Sequence, residues 1–405
     1  MSKPRMIITV TLLVLLWIGI IGGIFYNTSR QTKMINLIGM TKKEVKEYAH
    51  EHNLNLKFEH DYSNQIDRGL VMRQNIYVST ILTEGDTLVI TLSKGTVNKE
   101  AYLKHKVNEL GKIPILMYHG ISNVDNTAYK NGNVTKDGYE RTVDAFKNDL
   151  EYFYQNNYQL ISLNDYIGGK IDVDLGKSPL ILTFDGGLEN QIKVTSTDDF
   201  GNIVIDPKSA VGILESFKKD HPSFNVTATF FISKDLFHQK YNEKIIKWLI
   251  DKGYDIANNT YDYFNLDELN CFQSGMEIGR MYDELSNITN DYVKIVALPN
   301  GKPNELEHDN FKCILDNSYK KKNYKTVAAL KDSGGLSYSP FDIKYTKLLN
   351  RIKAFDNNGD EDIKYYFKQL DSSRYISDGD INTIVVKKEN LENVNNTFDL
   401  SIVSY

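Results

Sequence analysis

From residue 113 onward the chain alternates short, uninterrupted apolar runs with stretches of helical period, and few folds accommodate that alternation. The runs Ile113 to Tyr118 (IPILMY), Leu180 to Phe184 (LILTF), Thr227 to Ile232 (TATFFI), Tyr254 to Ala257 and Lys294 to Leu298 read as strands buried on both faces. Between them Phe146, Leu150 and Phe153 recur at helical spacing, as do Leu214 and Phe217. The latter helix is expected to open at Asp206-Pro207, with proline at its first position. Ile245 to Ile250, and a longer stretch from about Leu266 to Ile288, complete the helical set. Repeated βα units with buried strands predict an α/β fold with a parallel sheet or barrel.

One strand ends in chemistry. LILTF runs into Asp185, Gly186 and Gly187, and side chains at the carboxyl ends of parallel strands face the crevice where ligands bind. Taken alone the octapeptide reads more readily as a turn, because Asp-Gly and Gly-Gly are common loop dipeptides.

The amino-terminal third is organised differently. Met6 to Tyr26 carries no charged residue and is long enough to cross a hydrocarbon core of about 30 Å. Lys3 and Arg5 precede it while Arg30 and Lys33 follow, so the charge bias is weak; the amino terminus is taken as cytoplasmic. A cleavable signal is the alternative, but no A-x-A site follows. Residues 1–30 are therefore expected to be a cytoplasmic tip and single-pass transmembrane helix, with the bulk of the chain outside the cytoplasm. Residues 34–95 form a first module. Thr41 and Glu44 make a capping box for a helix carrying Val45, Tyr48 and Ala49, and three β-like runs follow, predicting a small α+β unit. The charged stretch 96–112 reads as a connector, and 113–405 as the large domain.

Composition excludes some partners. Basic residues number 48 against 53 acidic, for a net charge of −5, and no basic tract stands out, which argues against nucleic acid. Cys271 and Cys313 show no metal-ligand spacing with histidine and read as core thiols, with a single bridge left open.

The first module resembles a PASTA domain, a module found outside the membrane on bacterial cell-wall enzymes and kinases. The stretches INLIGMTKKEVKEYAHEHNL, GLVMRQN and EGDTLVITLSKG carry the likeness through Gly39, Met40, Gly69, Val71, Gln74, Gly85, Ser93, Lys94 and Gly95. The usual Gln-x-Pro is absent, since Gln74, Asn75 and Ile76 stand there. The resemblance implies a place at the peptidoglycan layer, as muropeptide binder or spacer.

The large domain resembles the polysaccharide deacetylase family, also called the NodB or carbohydrate esterase 4 family. GKIPILMYHGI, PLILTFDGG, VTATFFI, KGYDIANNTYDYFNL and VALPNG occur in the family's order. The resemblance implies a distorted (β/α) barrel that removes N-acetyl groups from peptidoglycan or chitin-like sugars. It also implies a divalent ion, zinc or another, held by an aspartate and two histidines, with a second aspartate as general base. The ion lowers the pKa of water and polarises the amide while the base takes the proton.

Carried over by position, the family's T-F-D-D-G stands here as Thr183, Phe184, Asp185, Gly186, Gly187. Asp185 keeps the general-base position and Gly186 replaces the metal-binding aspartate. The H-[ST]-x-x-H segment reads Asn259, Thr260, Tyr261, Asp262, Tyr263, so both histidines are replaced, although i, i+4 spacing would still put two side chains on one helical face. A carboxamide is a weak neutral ligand, and a phenol ionises only near pH 10. With three ligand positions degenerate, no metal and no other cofactor are expected, and the domain reads as a pseudoenzyme with Asp185 vestigial. The competing reading is an active N-deacetylase with a rebuilt oxygen site for magnesium or calcium, drawn from Asp185, Asp255 and Asp262. His119 matches the family's M-Y-H segment, and Pro299 and Asn300 its acetyl-side loop. Tyr261, Tyr263 and Phe264 offer rings for sugar faces. The last histidine is His308, and Ser373 to Thr383 supplies none as general acid. The expected partners are cell-wall glycan or peptidoglycan fragments, the membrane through the amino-terminal helix, and an envelope protein; a purely architectural docking role is the third alternative.

Overall fold

The computed structural model describes residues 32–405 apart from Tyr62, Asn64, Val97, 126–128, 130–131, 136–138, Asn358 and Asp360. The apolar stretch Met6 to Tyr26 lies outside these residues. Among the described residues no helix is long and apolar enough to cross a membrane. The chain divides into two compact units, one reaching Lys99 and one running from Glu100 to Tyr405.

In the first unit, helix α1 (Lys42–Glu51) lies on strands β1 (Asn55–Asp61), β2 (Val71–Gln74) and β3 (Thr87–Ser93). The capping box forms as the sequence predicts: the Glu44 N–H donates to Thr41 Oγ1 at 3.3 Å, and the Thr41 N–H donates to Glu44 Oε2 at 2.7 Å. Strand β3 is central, parallel to β1 and antiparallel to β2. Val45 and Ala49 of the helix meet Leu88, Ile90 and Leu92 of β3 in one small core.

The second unit is built on a closed ring of seven parallel strands. These are β4 (Ile115–Tyr118), β5 (Ser178–Asp185), β6 (Thr229–Ile232), β7 (Asp255–Asn258), β8 (Ile295–Ala297), β9 (Ala328–Gly334) and β10 (Leu348–Lys353). Each strand pairs with the next in sequence, and β10 closes on β4 through Ile352 beside Leu116. Residues Tyr158–Leu160 pair with the start of β5 outside the ring.

Strand alternation sorts the side chains into two cores. Leu116, Leu182, Phe184, Phe230, Ile256 and Val296 point outward. They pack under helices α2 (Val143–Gln155), α3 (Ala210–Asp220), α4 (Asn242–Asp251), α5 (Cys271–Ile288) and α6 (Ile363–Leu370) through residues such as Phe146, Leu214, Leu249, Met281 and Phe367. Ile115, Ile181, Phe231, Ala257, Ala297 and Leu330 fill the inside. Asp185 lies two and four residues beyond Thr183 and Ile181 on β5, so it shares their inward face.

Three local expectations change. Helix α3 begins at Ala210, not at Pro207, because Ser209 is the cap and its hydroxyl accepts the Gly212 N–H at 3.3 Å; Asp206 and Pro207 form the preceding turn. Residues 100–112 are packed into the second unit. Tyr102 and Val107 are buried, and the buried Glu109 carboxylate accepts the Tyr375 hydroxyl at 3.0 Å and the Val385 N–H at 2.6 Å. The charged residues of that stretch gave it the look of a connector, but only Lys104 and Lys106 of its lysines are exposed, and Lys112 is half-buried over the Tyr338 ring. Cys271 and Cys313 are joined in a disulfide, with Cα atoms 5.4 Å apart, tying the start of α5 to the short helix Phe311–Leu315. They are not free core thiols.

Candidate functional site

Asp185 is the last residue of β5 and is 2% exposed. An ionised carboxylate so placed needs a partner, and β10 supplies one. Arg351 Nη1 donates to Asp185 Oδ1 and Nη2 to Oδ2, each at 2.6 Å. The same guanidinium donates to Thr183 Oγ1 at 3.1 Å and, through Nε, to the Lys331 carbonyl at 2.6 Å. Arg351 is 1% exposed and has the Phe231 ring 5.7 Å from its guanidinium carbon. Both carboxylate oxygens are thus held by one fork, a charge-assisted bidentate pair that is both strong and geometrically specific. The sequence reading did not name Arg351. The available signal was an arginine inside an otherwise apolar strand, LLNRIK, because a buried guanidinium requires an anion.

The three positions at which the family resemblance places metal ligands carry other chemistry. Gly186 has φ +92°, and its N–H donates to Asn259 Oδ1 at 2.9 Å. Asn259 Nδ2 donates to the Ala297 carbonyl at 3.0 Å, so the buried amide bridges the ends of β5 and β8. Residues 259–263 are not a helix: β7 ends at Asn258, and the chain turns through left-handed Thr260 (φ 64°) and Tyr263 (φ 60°). The expected shared helical face is therefore absent, and Asn259 points into the core while Tyr263 is 38% exposed at the mouth. Burial, followed by the nearby Asp185 charge, pushes the Tyr263 phenol above its ordinary pKa, which makes a phenolate ligand still less accessible.

The oxygens proposed for a rebuilt site are also dispersed. Asp262 is clamped by Lys234 at 2.6 Å and Arg280 at 3.1 Å. Asp255 is the first residue of β7, at the opposite end of the barrel from Asp185, and burial pushes its carboxyl up to about 6. Among the described residues no three histidine, cysteine, aspartate or glutamate side chains come together to hold a metal ion. The residues at the family positions do not fit a divalent cation: they offer a backbone N–H, a carboxamide with both ends engaged, and a neutral phenol.

A cavity of about 210 Å³ remains at the mouth, above the Asp185–Arg351 pair. His119 and Tyr139 stack at one side with ring centroids 4.1 Å apart. Tyr263 and Asn300 bound the cavity elsewhere, and Lys353 and Asp332 line it with their charges 3.8 Å apart. His119, Tyr263 and Asn300 thus stand together as singled out from the sequence. Pro299 is buried in the same turn, where Asn300 takes φ 55° and faces the cavity instead. Tyr261 is not brought there, since the Arg280 guanidinium covers its ring at 3.6 Å. His308 sits beside Asp267, 3.6 Å away, and is not part of the lining. Tyr139, Asp332 and Lys353 were not legible, because each reaches the mouth from a stretch that carries no motif.

Residues 172–312 match the family model described as polysaccharide deacetylase, and residues 32–94 match the PASTA domain model. Among solved structures the chain is similar to the Streptococcus pyogenes deacetylase PplD in complex with acetate, at 20% identity over 64% of this chain and 97% of that one, with a TM-score of 0.43. A polysaccharide deacetylase from Bacillus cereus matches at 17% identity over 64% of this chain and 68% of that one, with a TM-score of 0.44. The three-PASTA-domain of a Ser/Thr kinase from Staphylococcus aureus matches at 18% identity over 43% of this chain and 93% of that one, with a TM-score of 0.15. A comparison with curated proteins gives no match. The chain thus carries a PASTA domain at residues 32–94 and a polysaccharide deacetylase domain, matched over residues 172–312.

Proposed function

We propose that this is a membrane-anchored, extracytoplasmic cell-wall protein whose deacetylase-like barrel no longer hydrolyses amides and instead binds glycan, or a wall partner that presents it, at the barrel mouth. The observation that carries the reading is the fork of Arg351 on both oxygens of Asp185. A general base must take a proton from water, and the family's water is acidified by an ion. Here the base is neutralised by an internal cation, and nothing beside it is suited to hold the ion. The anchor would be Met6 to Tyr26.

What remains at the mouth suits recognition. Tyr139 and Tyr263 offer ring faces, while Asp332, Lys353 and Asn300 offer polar groups around a space of sugar-ring dimensions. The test is calorimetric titration of the full chain with peptidoglycan fragments, beside Tyr263→Ala. Micromolar to millimolar binding that weakens severalfold in the variant supports the reading, and a flat response from both proteins sinks it. Acetate release from acetylated glycan, with stoichiometric metal and turnover abolished in Asp185→Asn, would instead establish the active-hydrolase alternative.

A further inference from the structure

The first unit exposes apolar side chains along two abutting segments. Tyr77 is 86% exposed, Val78 54% and Ile81 50%; Ile35 and Ile38 are 41% and 48% exposed. The backbone brings the segments together. The Met34 N–H donates to the Thr80 carbonyl and the Ser79 N–H to the Met34 carbonyl, each at 2.8 Å, and Lys33 bridges Ile81. Gln74 fastens the other end, its side chain accepting the Leu37 N–H at 2.8 Å and donating to the Ile35 carbonyl at 3.0 Å. Met34 and Leu37 face the core, which turns Ile35 and Ile38 outward.

The two segments are almost free of charge. Across residues 32–38 and 74–82, TKMINLI and QNIYVSTIL, Lys33 is the single ionisable group that carries charge at neutral pH. A soluble protein seldom leaves such a patch without something to cover it.

The sequence says what lies near. The uncharged stretch Met6 to Tyr26 ends six residues before Thr32, and six residues span at most about 20 Å when fully extended. A unit of this size has a diameter of roughly 27 Å. If Tyr26 marks the edge of the hydrocarbon, the segment 32–38 and its partner 74–82 form the end of the unit held closest to the bilayer. Exposed isoleucine and valine beside a tyrosine with its ring in the open, and a lysine for the phosphates, are the composition of an interfacial contact.

We infer that the PASTA unit docks on the outer leaflet through Ile35, Tyr77, Val78 and Ile81, the lipid surface being the occupant of this patch. The inference rests on the anchoring reading above and deepens it: the unit lies on the membrane and does not stand off it as a spacer.

The experiment places a photoreactive phenylalanine analogue at position 77 of the full chain, reconstituted in phosphatidylethanolamine/phosphatidylglycerol vesicles. A second sample carries it at position 200, where Phe200 of the other unit is 91% exposed. Phospholipid adducts at 77, at least tenfold above those at 200, are expected. Protein that floats with the vesicles but gives no lipid adduct at 77, or gives adducts to residues 6–26 or to a second copy, overturns the docking while leaving the anchor standing. Protein that fails to float overturns both.

Discussion

Two aspartates, one buried and one half-buried, mark the two ends of the same barrel, and they are handled in opposite ways. Asp185 closes β5 at the carboxyl end and shares both oxygens with a guanidinium brought from β10. Asp255 opens β7 at the amino end. Its carboxylate has an N–H from Asn164 and a hydroxyl from Thr229, each at 3.3 Å, and burial drives it toward the neutral form. Where the family resemblance places chemistry, the acid is matched by a cation; where it places none, burial favours the neutral acid. The mouth thus fixes its acid with a charged partner, while the far end leaves its acid to burial and two long hydrogen bonds.

The clamp gives the largest expected effect. Arg351→Met leaves Asp185 buried without its cation, and such a loss costs about 3–5 kcal/mol. Urea unfolding of the second unit's transition should register it as a lower midpoint with unchanged slope. Asp185→Asn combined with Arg351→Met should recover part of that loss, since the double variant has no orphaned charge. Additive losses would mean the pair is not coupled, and the contrast between the two barrel ends would fall.

Asp255 gives the next effect, and its sign is opposite to that of a paired carboxylate. A carboxyl raised to about 6 in the folded state, against about 3.9 when unfolded, binds more protons folded than unfolded between those values. Its stabilising contribution is complete below pH 4 and disappears as pH rises through 6, a change of about 3 kcal/mol. In Asp255→Asn that part of the pH–stability profile should flatten. A profile that keeps its slope between pH 4 and 6 would assign the slope to other groups, such as Glu109, which is also raised by burial.

How far the sequence carried this contrast depends on where information about each end resides. The barrel was legible because its strands are buried on both faces and therefore apolar without interruption, a pattern that needs no partner to recognise. Asp185 was legible because a strand-end acid followed by glycines is local. Arg351 was not, since β5 and β10 come together only as the two flanking neighbours of β4, and Arg351 and Asp185 are 166 residues apart in sequence. The helical face assumed for Asn259 and Tyr263 failed for a similar reason. Spacing of four is compatible with a helix, but the left-handed turns at Thr260 and Tyr263 are imposed by the strand ending beneath them. The bridge between Cys271 and Cys313 likewise depends on α5 lying beside Phe311–Leu315, which spacing alone leaves undetermined.

The smallest effect comes from placing one of the family's ligand types at the mouth. Gly186→Asp puts a carboxylate where the family resemblance places one, and a side chain has room there, with Leu188 and the Tyr139 hydroxyl at 3.5 Å and 3.6 Å from the new Cβ. The backbone at φ +92° is the obstacle, because residues other than glycine lose roughly 1–2 kcal/mol in such conformations. The variant should unfold at slightly lower urea and still retain no zinc after dialysis, since Asn259 remains engaged with Gly186's N–H position and Ala297. Stoichiometric zinc in this single variant would show that the mouth lacks only one ligand, and that its clamped acid is compatible with the family's chemistry after all.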